Sequence, residues 1–432
     1  MKFLKRLLAL SMIACSAQVL DADPGVSDNT ITLGMSSPFS GTNGAYGQEM
    51  RQTIEAYFEQ LNKAGGINGR KLELVAVDDG YETDRSVANS KSLIEEKKVF
   101  ALLAYYGSSP TTESMNKIFG PAKVPLVGTI SGAGTLREPV SANPNSRYMF
   151  NVRASYADET EAIVNQLVSL GLKSIAVFYQ NDGFGNSGLE GATAAMKKHG
   201  LAPSAVTTVE RNSVDVSKAV ETIAKARPQA GIMVTLYKPT AQFVKAMKKA
   251  GQHPMFMTLS PVGAEQLTQE LGPDARGIGM SQVAPYPWND VVTVVRDYQK
   301  LVGKKGGYSY YGIEGYLMAR VMVEGLKRVG KEPTREKLVS ALESLNNHDF
   351  GGYRVSYNGT NRLGSRFVDM TVIGPGDKIN DEEHGEFNKL AGDANPHALV
   401  AGNPAPIGFS LDTRFQYCFR RHDDPLLPNQ GA

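Results

Sequence analysis

The chain has 432 residues, room for two or three packing units at ~150 residues each, and its 41% hydrophobic and 21% charged content excludes a wholly disordered polymer. The 46 Lys+Arg against 44 Asp+Glu leave a charge of +2, too balanced for a surface that must neutralise many phosphates, so no nucleic-acid partner is expected. The two cysteines, Cys15 and Cys418, exclude a disulfide framework and a multi-cysteine zinc site, and beyond Leu20 no stretch approaches ~18 uninterrupted apolar residues.

The N-terminus reads as an export signal over 1–25. Lys2, Lys5 and Arg6 precede an apolar core, Leu7 to Ala14, and small residues follow at Ala14, Ser16 and Ala17. Removing those three cations leaves 43 basic residues against 44 acidic ones. Met12-Ile13-Ala14-Cys15 is a loose lipoprotein box, so a lipid anchor at Cys15 and a cleaved soluble form both stay open.

Alternation of Ile31, Leu33 and Met35 predicts a first strand. Met50, Ile54, Tyr57, Phe58 and Leu61 predict a helix that Gly65-Gly66 stops. A strand over Leu72 to Val77, a helix over Ser86 to Lys97, a strand over Phe100 to Tyr106, a short helix from Thr112 to Phe119 and a strand from Val124 to Gly128 follow. This β-α-β-α order predicts an α/β lobe, a parallel sheet with helices on both faces. The pattern restarts with helices over Glu159 to Leu170, Ser187 to His199, Val214 to Ala226 and Thr240 to Ala250. Between them fall strands at Ser174 to Tyr179, Val206 to Glu210, Ala230 to Thr235 and Met255 to Thr258, giving a second lobe in series. Helices at Val291 to Leu301, Gly312 to Val329 and Arg335 to Leu345 precede strands at Tyr353 to Tyr357 and Arg366 to Ile373. From Gly374 apolar periodicity disappears, and 375–432 reads as a flexible extension.

Catalytic arrangements are thin. The six histidines are scattered, none paired at i,i+4, and HExxH, GxSxG and GxxxxGK[ST] are absent. No catalytic residue, metal or cofactor is therefore expected. Gly183-Phe-Gly185-Asn-Ser-Gly188 follows a strand, with Glu210 at the end of the next, and so imitates a dinucleotide fingerprint. Asp182 just before the glycines opposes a bound pyrophosphate, and a glycine-rich turn at a cleft edge is the favoured reading. Asp78-Asp79 ends a strand and either lines a cleft or caps the strand end.

The hydroxyl clusters are more informative. Gly107-Ser108-Ser109-Pro110-Thr111-Thr112 and Gly128-Thr129-Ile130-Ser131-Gly132-Ala133 follow neighbouring predicted strands. Ligands of open α/β sheets bind at such carboxyl ends, where serine and threonine hydroxyls can donate to a carboxylate. N-capping alone would explain one such residue.

Against these residues a family resemblance becomes explicit. The chain resembles the branched-chain amino-acid (Leu/Ile/Val) solute-binding proteins of bacterial ABC transporters, from about Val26 to Ile373. The likeness is carried by Ile31-Thr-Leu-Gly-Met-Ser-Ser-Pro-Phe-Ser-Gly41, Leu61-Asn-Lys-Ala-Gly-Gly-Ile-Asn-Gly-Arg-Lys71, Val77-Asp-Asp79 and Tyr106-Gly-Ser-Ser109. Val124-Pro-Leu-Val127, Tyr179-Gln-Asn-Asp-Gly-Phe-Gly185 and Val214-Asp-Val216 extend it. It implies a two-lobed type I periplasmic-binding-protein fold with three crossover strands, near Phe150 to Arg153, Ile278 to Val283 and Gly351 to Tyr357. Lobe 1 would hold 26–150 and return over 281–350; lobe 2 would hold 151–280, with crossover and lobe 2 strands in 351–374.

The resemblance further implies a non-enzymatic, periplasmic monomer that closes on a small carboxylate or amino acid and delivers it to an ABC permease. It places Ser108, Ser131 and backbone near Ile130 on the ligand's carboxylate, with Ser109 a further ligand-binding candidate, and Tyr46, Phe184 and Tyr237 as aromatic walls. Tyr156, Asp182 and Tyr311 fall near the cleft by the lobe layout. The family's ammonium-binding glutamate has no match in Leu259-Ser260-Pro261-Val262-Gly263, so Asp182 or Glu265 substitutes, or the ligand lacks an ammonium. Lys238 would suit a second anionic group. A sensory receptor domain of the same fold and an exported NAD-dependent oxidoreductase are the competing functions.

Overall fold

A computed structural model describes residues 23–303 and 307–374, so the signal segment with Cys15 and the extension over 375–432 lie outside the described residues. The first sheet is built from β1 (Thr30–Ser37), β2 (Lys71–Asp78), β3 (Ala101–Tyr106), β4 (Leu126–Ile130) and β5 (Met149–Phe150), all parallel, in the order β2-β1-β3-β4-β5. Helices α1 (Gly44–Lys63), α2 (Thr83–Glu95) and α3 (Ser108–Ser114) connect them. Every residue of β3 is buried, the signature of a parallel strand covered on both faces.

The second sheet follows through α4 (Tyr156–Ser169), β6 (Ile175–Gln180), α5 (Gly183–Lys198), β7 (Val206–Val209), α6 (Ser217–Ala226), β8 (Ala230–Val234), α7 (Tyr237–Lys249), β9 (Met255–Thr258), α8 (Ala264–Leu271) and β10 (Gly279–Gln282). The chain then returns to the first lobe as α9 (Thr293–Val302), α10 (Tyr310–Val329) and α11 (Arg335–Glu343). Helix α10 lies against α1, with Gly315 over the Met50 backbone, and most of its residues are buried. A small ribbon of β11 (His348–Asp349) and β12 (Arg354–Val355) precedes β13 (Asp369–Val372), which joins the second sheet in the order β13-β10-β9-β8-β6-β7. Strand β13 is antiparallel to β10, so the second sheet is parallel except for this edge.

Most predicted elements are present, with shifted boundaries: α3 begins at Ser108 rather than Thr112, α6 at Ser217 rather than Val214, and β4 runs Leu126–Ile130. Helix α5 begins at Gly183 rather than Ser187, because the Asp182 carboxylate accepts from the Phe184 and Gly185 N–H groups. The glycine-rich segment is therefore the first turns of a helix, not a turn before one. A Cβ at Gly185 would stand 1.8 Å from the Gln180 carbonyl, so glycine there permits the close strand-to-helix approach. Helix α10 begins at Tyr310 rather than Gly312 for a similar reason: Ser309 Oγ accepts from the Gly312 N–H. The strand expected over Tyr353 to Tyr357 shrinks to Arg354–Val355, since both flanking tyrosines turn inward.

Those tyrosines stitch the chain crossings together. The buried Tyr353 hydroxyl reaches the Val152 carbonyl at 3.0 Å and the Val283 carbonyl at 3.2 Å, spanning three segments that pass between the lobes. Tyr357 donates to the Asn151 carbonyl at 2.6 Å, and Asn151 N and Ser365 N pair with the Arg362 and Val152 carbonyls. Tyr353→Phe leaves the Val283 carbonyl without its donor and the Val152 carbonyl with only the Ser365 N–H, and is expected to lower unfolding stability by about 1–3 kcal/mol, read from urea midpoints at constant m-value.

Candidate functional site

The carboxyl ends of β3 and β4 face the second lobe, and the hydroxyl clusters sit there. Ser108 Oγ lies 2.8 Å from Ser131 Oγ and 3.5 Å from the hydroxyl of Tyr156, the first residue of α4 in the other lobe. Ser108 and Ser131 are 1% and 0% exposed, yet they are buried at the junction of the lobes rather than within one of them. Gly107 makes this possible: its φ of +90° turns the chain out of β3, and a Cβ there would strike the Tyr81 ring. Ser109 Oγ accepts from the Gly183 N–H at 3.1 Å across the seam. Ile130 closes β4, with its side chain buried and its carbonyl accepting from Gly107 N–H. Thr111 and Thr129 face inward instead, paired at 2.9 Å, while Thr112 meets Thr135 in an exposed contact at 2.9 Å.

The aromatic candidates gather on the same seam. Tyr46 stacks on Tyr311 at 4.4 Å and on Tyr106 at 5.6 Å, and meets Tyr237 edge-on at 6.1 Å. Tyr156 packs on Phe184 at 5.1 Å. The hydroxyls of Tyr46 and Tyr311 donate to the Val262 and Pro261 carbonyls of the second lobe, and that of Tyr237 donates to Thr42 of the first. Lys238 lies over the Tyr237 ring at 5.8 Å. Burial raises the phenol pKa of Tyr46, Tyr106, Tyr156 and Tyr311, so each remains a neutral donor at any physiological pH.

Acid groups complete the seam. Asp182 caps α5 with one oxygen, while its other receives Gln180 Nε2 at 2.7 Å and the Tyr81 hydroxyl at 3.4 Å. Asp78 and Asp79 serve the scaffold. Asp78 takes the Phe39 and Gly80 N–H groups, the Ser40 hydroxyl and Arg85, and together these outweigh the effect of burial and lower its pKa. Asp79 accepts from Ser36 and from the N–H of Tyr81, fixing the latter at a φ of +65° with its ring on the seam. Glu265 accepts from Tyr310 N–H, and Gln266 beside it donates to Glu49 at 2.8 Å.

Sequence reasoning missed four contributors: Tyr81, Tyr106, Arg153 and Glu314. Arg153 is 1% exposed; its Nη2 donates to Glu159 at 2.8 Å and to Ser260, and its Nη1 stands 3.4 Å from Glu314 Oε2. Glu159 also accepts from Ser260 N–H and from the Ser260 and Ser281 hydroxyls. Tyr106 was legible as the residue before the Gly107 turn, and Glu314 as the i+3 neighbour of Tyr311 on α10. Among the described residues no group of three or more His, Cys, Asp or Glu is arranged to hold a metal, and no helix is long and apolar enough to cross a membrane.

Burial raises five carboxyls: Asp182, Asp79 to about 6, Glu49 and Glu314 to about 7, and Glu265 to about 8, where the nearby Glu49 adds to the effect. A folded-state pKa above the unfolded value gives stability that is full below the unfolded pKa and lost as pH rises through the folded one. The empty protein is therefore expected to be more stable at pH 5 than at pH 8.5 in urea titrations. Glu265→Gln and Glu314→Gln should each flatten that slope.

Comparison with known proteins agrees with this architecture. The family model described as "Periplasmic binding protein" matches residues 30–373. A protein named Leu/Ile/Val-binding protein homolog 7 from Brucella abortus is 25% identical over 344 residues, covering 75% of this chain and 82% of its own. An "Amino acid binding protein" from Pseudomonas aeruginosa is 24% identical over 249 residues, 56% of this chain, and the match spans only 63% of that protein's length. Among solved structures, a substrate-binding periplasmic protein from Ralstonia solanacearum shares 30% identity with a TM-score of 0.74, covering 80% of this chain and 98% of its own. A branched-chain amino-acid ABC transporter protein from Thermus thermophilus with bound valine, 18% identical with a TM-score of 0.72 and coverage of 84% and 99%, shares the fold. The chain belongs to the periplasmic binding protein family, of the Leu/Ile/Val-binding type, whose members are extracytoplasmic binding proteins.

Proposed function

We propose that this protein captures a small carboxylate ligand, an amino acid, between its lobes and delivers it to an ABC permease. The observation that carries the reading is the buried hydroxyl group of three, Ser108 and Ser131 from one lobe and Tyr156 from the other. Hydroxyls that satisfy one another across a seam can reorient to donate to an anion without leaving a buried atom stranded. The relatives named for Leu/Ile/Val and for amino acids support the ligand class. In this reading Ser109, Ile130, Tyr46, Phe184, Tyr237 and Asp182 shape and close the site around the anion.

The working cycle follows from the crossings. Lobe 1 comprises 26–150 and 281–350, and lobe 2 comprises 151–280 and 351–374, joined by the stitched segments. Opening breaks the short seam contacts, such as Gly183 to Ser109 and Asn212 to Glu82, while the crossings stay tied. Ligand binding favours the closed form only by its differential affinity for it, and the closed surface is what a permease recognises. Residues 1–25 would direct export, with removal or lipidation near Cys15. The N–H groups opening α5 are already taken by Asp182 and Ser109, which disfavours a pyrophosphate there and with it the oxidoreductase reading.

A thermal-shift panel of amino acids, small organic acids and dinucleotides tests the proposal. An amino acid at 100 times its Kd should add about 2.7 kcal/mol of stability, and a panel in which only dinucleotides raise Tm contradicts it. Ser108→Ala is expected to weaken ligand binding by about 1–3 kcal/mol with little change in folding, measured by titration calorimetry. Unchanged affinity removes Ser108 from the site.

A further inference from the structure

An amino-acid ligand brings an ammonium as well as a carboxylate, and a buried ammonium needs an acid whose lone pairs are not already used. The seam offers several carboxylates, and their partners separate them. Glu159 is saturated by Arg153, by the Ser260 N–H and hydroxyl, and by the Ser281 hydroxyl. Asp182 is occupied by the start of α5, Gln180 and Tyr81. Glu49 and Glu265 also keep an unpaired buried oxygen each, but their partners are Gln266 and the Tyr310 N–H, whereas Glu314 shares Arg153 with the Tyr156 end of the seam. Glu314 differs from all of these. It is only 6% exposed, and its Oε2 accepts no hydrogen bond although Arg153 Nη1 stands 3.4 Å away.

The surroundings of that oxygen are unsatisfied in a complementary way. Arg153 Nε and Nη1 donate to nothing, and the buried Tyr106 hydroxyl lacks an aligned partner. One turn before Glu314, Tyr311 stacks on Tyr46 within the aromatic part of the seam. Around the single Arg153 guanidinium stand two carboxylates, Glu159 and Glu314. The other nearby cation, Arg137, spends its donors on the carbonyls of Ser131, Ala133, Arg153 and Ala154. The centre thus holds guanidinium N–H groups that make no hydrogen bond beside a carboxylate oxygen that accepts none, and two acids around one base.

We propose that Glu314 is the group that receives the ligand's ammonium, so that the site selects zwitterionic amino acids over acids of the same skeleton lacking the amine. Resting on the amino-acid reading above, this assigns the role to α10 of the first lobe rather than to Asp182, whose oxygens are taken, or to Glu265, which lies beside Glu49. The groups facing Glu314 are Arg153 from the first crossing, Glu159 from α4, Tyr106 from β3, Tyr311 on its own helix, Tyr353 from the third crossing and Glu265 from α8. Burial lifts the Glu314 carboxyl to about 7 against the pull of Arg153, so the empty protein carries it partly protonated at neutral pH. An arriving ammonium stabilises the ionised form, and binding therefore releases a proton to the buffer.

Calorimetry on the mature protein tests this with L-leucine, L-valine, L-phenylalanine and L-alanine against 4-methylpentanoate, 3-methylbutanoate, 3-phenylpropanoate and propanoate. The wild type should bind its best amino acid at least about 100-fold tighter than the matching acid, and Glu314→Gln should cut that preference to under about 10-fold. Repeating the wild-type titration in buffers of different ionisation enthalpy should show proton release that is larger at pH 6 than at pH 9, a readout that needs no variant. Equal affinity for acid and amino acid, absent proton release, or a preference unchanged in a folded Glu314→Gln each overturns the assignment while leaving the carboxylate reading intact. Binding of none of the eight compounds removes both.

Discussion

Arg153 is the point at which the architecture and the site become one problem. A guanidinium with 1% exposure must be paired where it lies, and it lies in the first crossing between the lobes. Its partners come from everywhere at once: Glu159 and Ser260 from the second lobe and Glu314 from the return helix of the first. Breaking a buried pair by removing one partner typically costs about 3–5 kcal/mol, so this cluster restricts the ways the lobes can meet. The crossings are held beside it by Tyr353 and Tyr357, whose hydroxyls bond carbonyls of the first and second crossings. A fixed centre with a breakable rim is the mechanical requirement for a molecule that opens and closes.

The serine pair gains its meaning from that geometry. Ser108 and Ser131 follow the ends of adjacent parallel strands, so the register of β3 on β4 brings them together. The second lobe adds Tyr156, placed by a capping box in which Ser155 and Asp158 fix the start of α4. The ring of Tyr156 lies 5.9 Å from the Arg153 guanidinium, which links the hydroxyl cluster to the charged centre. An anion-facing region and a cation-facing region thus lie side by side along one seam.

Much of the fold was legible because its strands are short apolar runs and its helices carry clear apolar stripes. The short apolar run Phe100 to Tyr106 reads as a covered strand, and Met50, Ile54 and Phe58 mark a helix face. What escaped was set by distant partners. The early start of α5 depends on one aspartate cap, and the shrinkage of the strand around Arg354 follows from tyrosines bonding crossing segments some 70 and 200 positions away. The site divided in the same way. Hydroxyls after strands are visible as local clusters, so Ser108, Ser109 and Ser131 stood out. Arg153 carries no local signal, because it is defined only by partners that topology delivers, and Glu314 offers only its i+3 spacing from Tyr311, which reads as a solvated face until α10 is seen to be buried.

In the proposed function the two lobes grip a small acid through Ser108, Ser131 and Tyr156. A crystal structure of the protein grown with the tightest compound from a binding screen tests it most directly. The account predicts density for that compound between the lobes, with a carboxylate oxygen within hydrogen-bonding distance of Ser108 Oγ. Density for the compound elsewhere, with the Ser108–Ser131 hydroxyl pair left undisturbed at 2.8 Å, would contradict it.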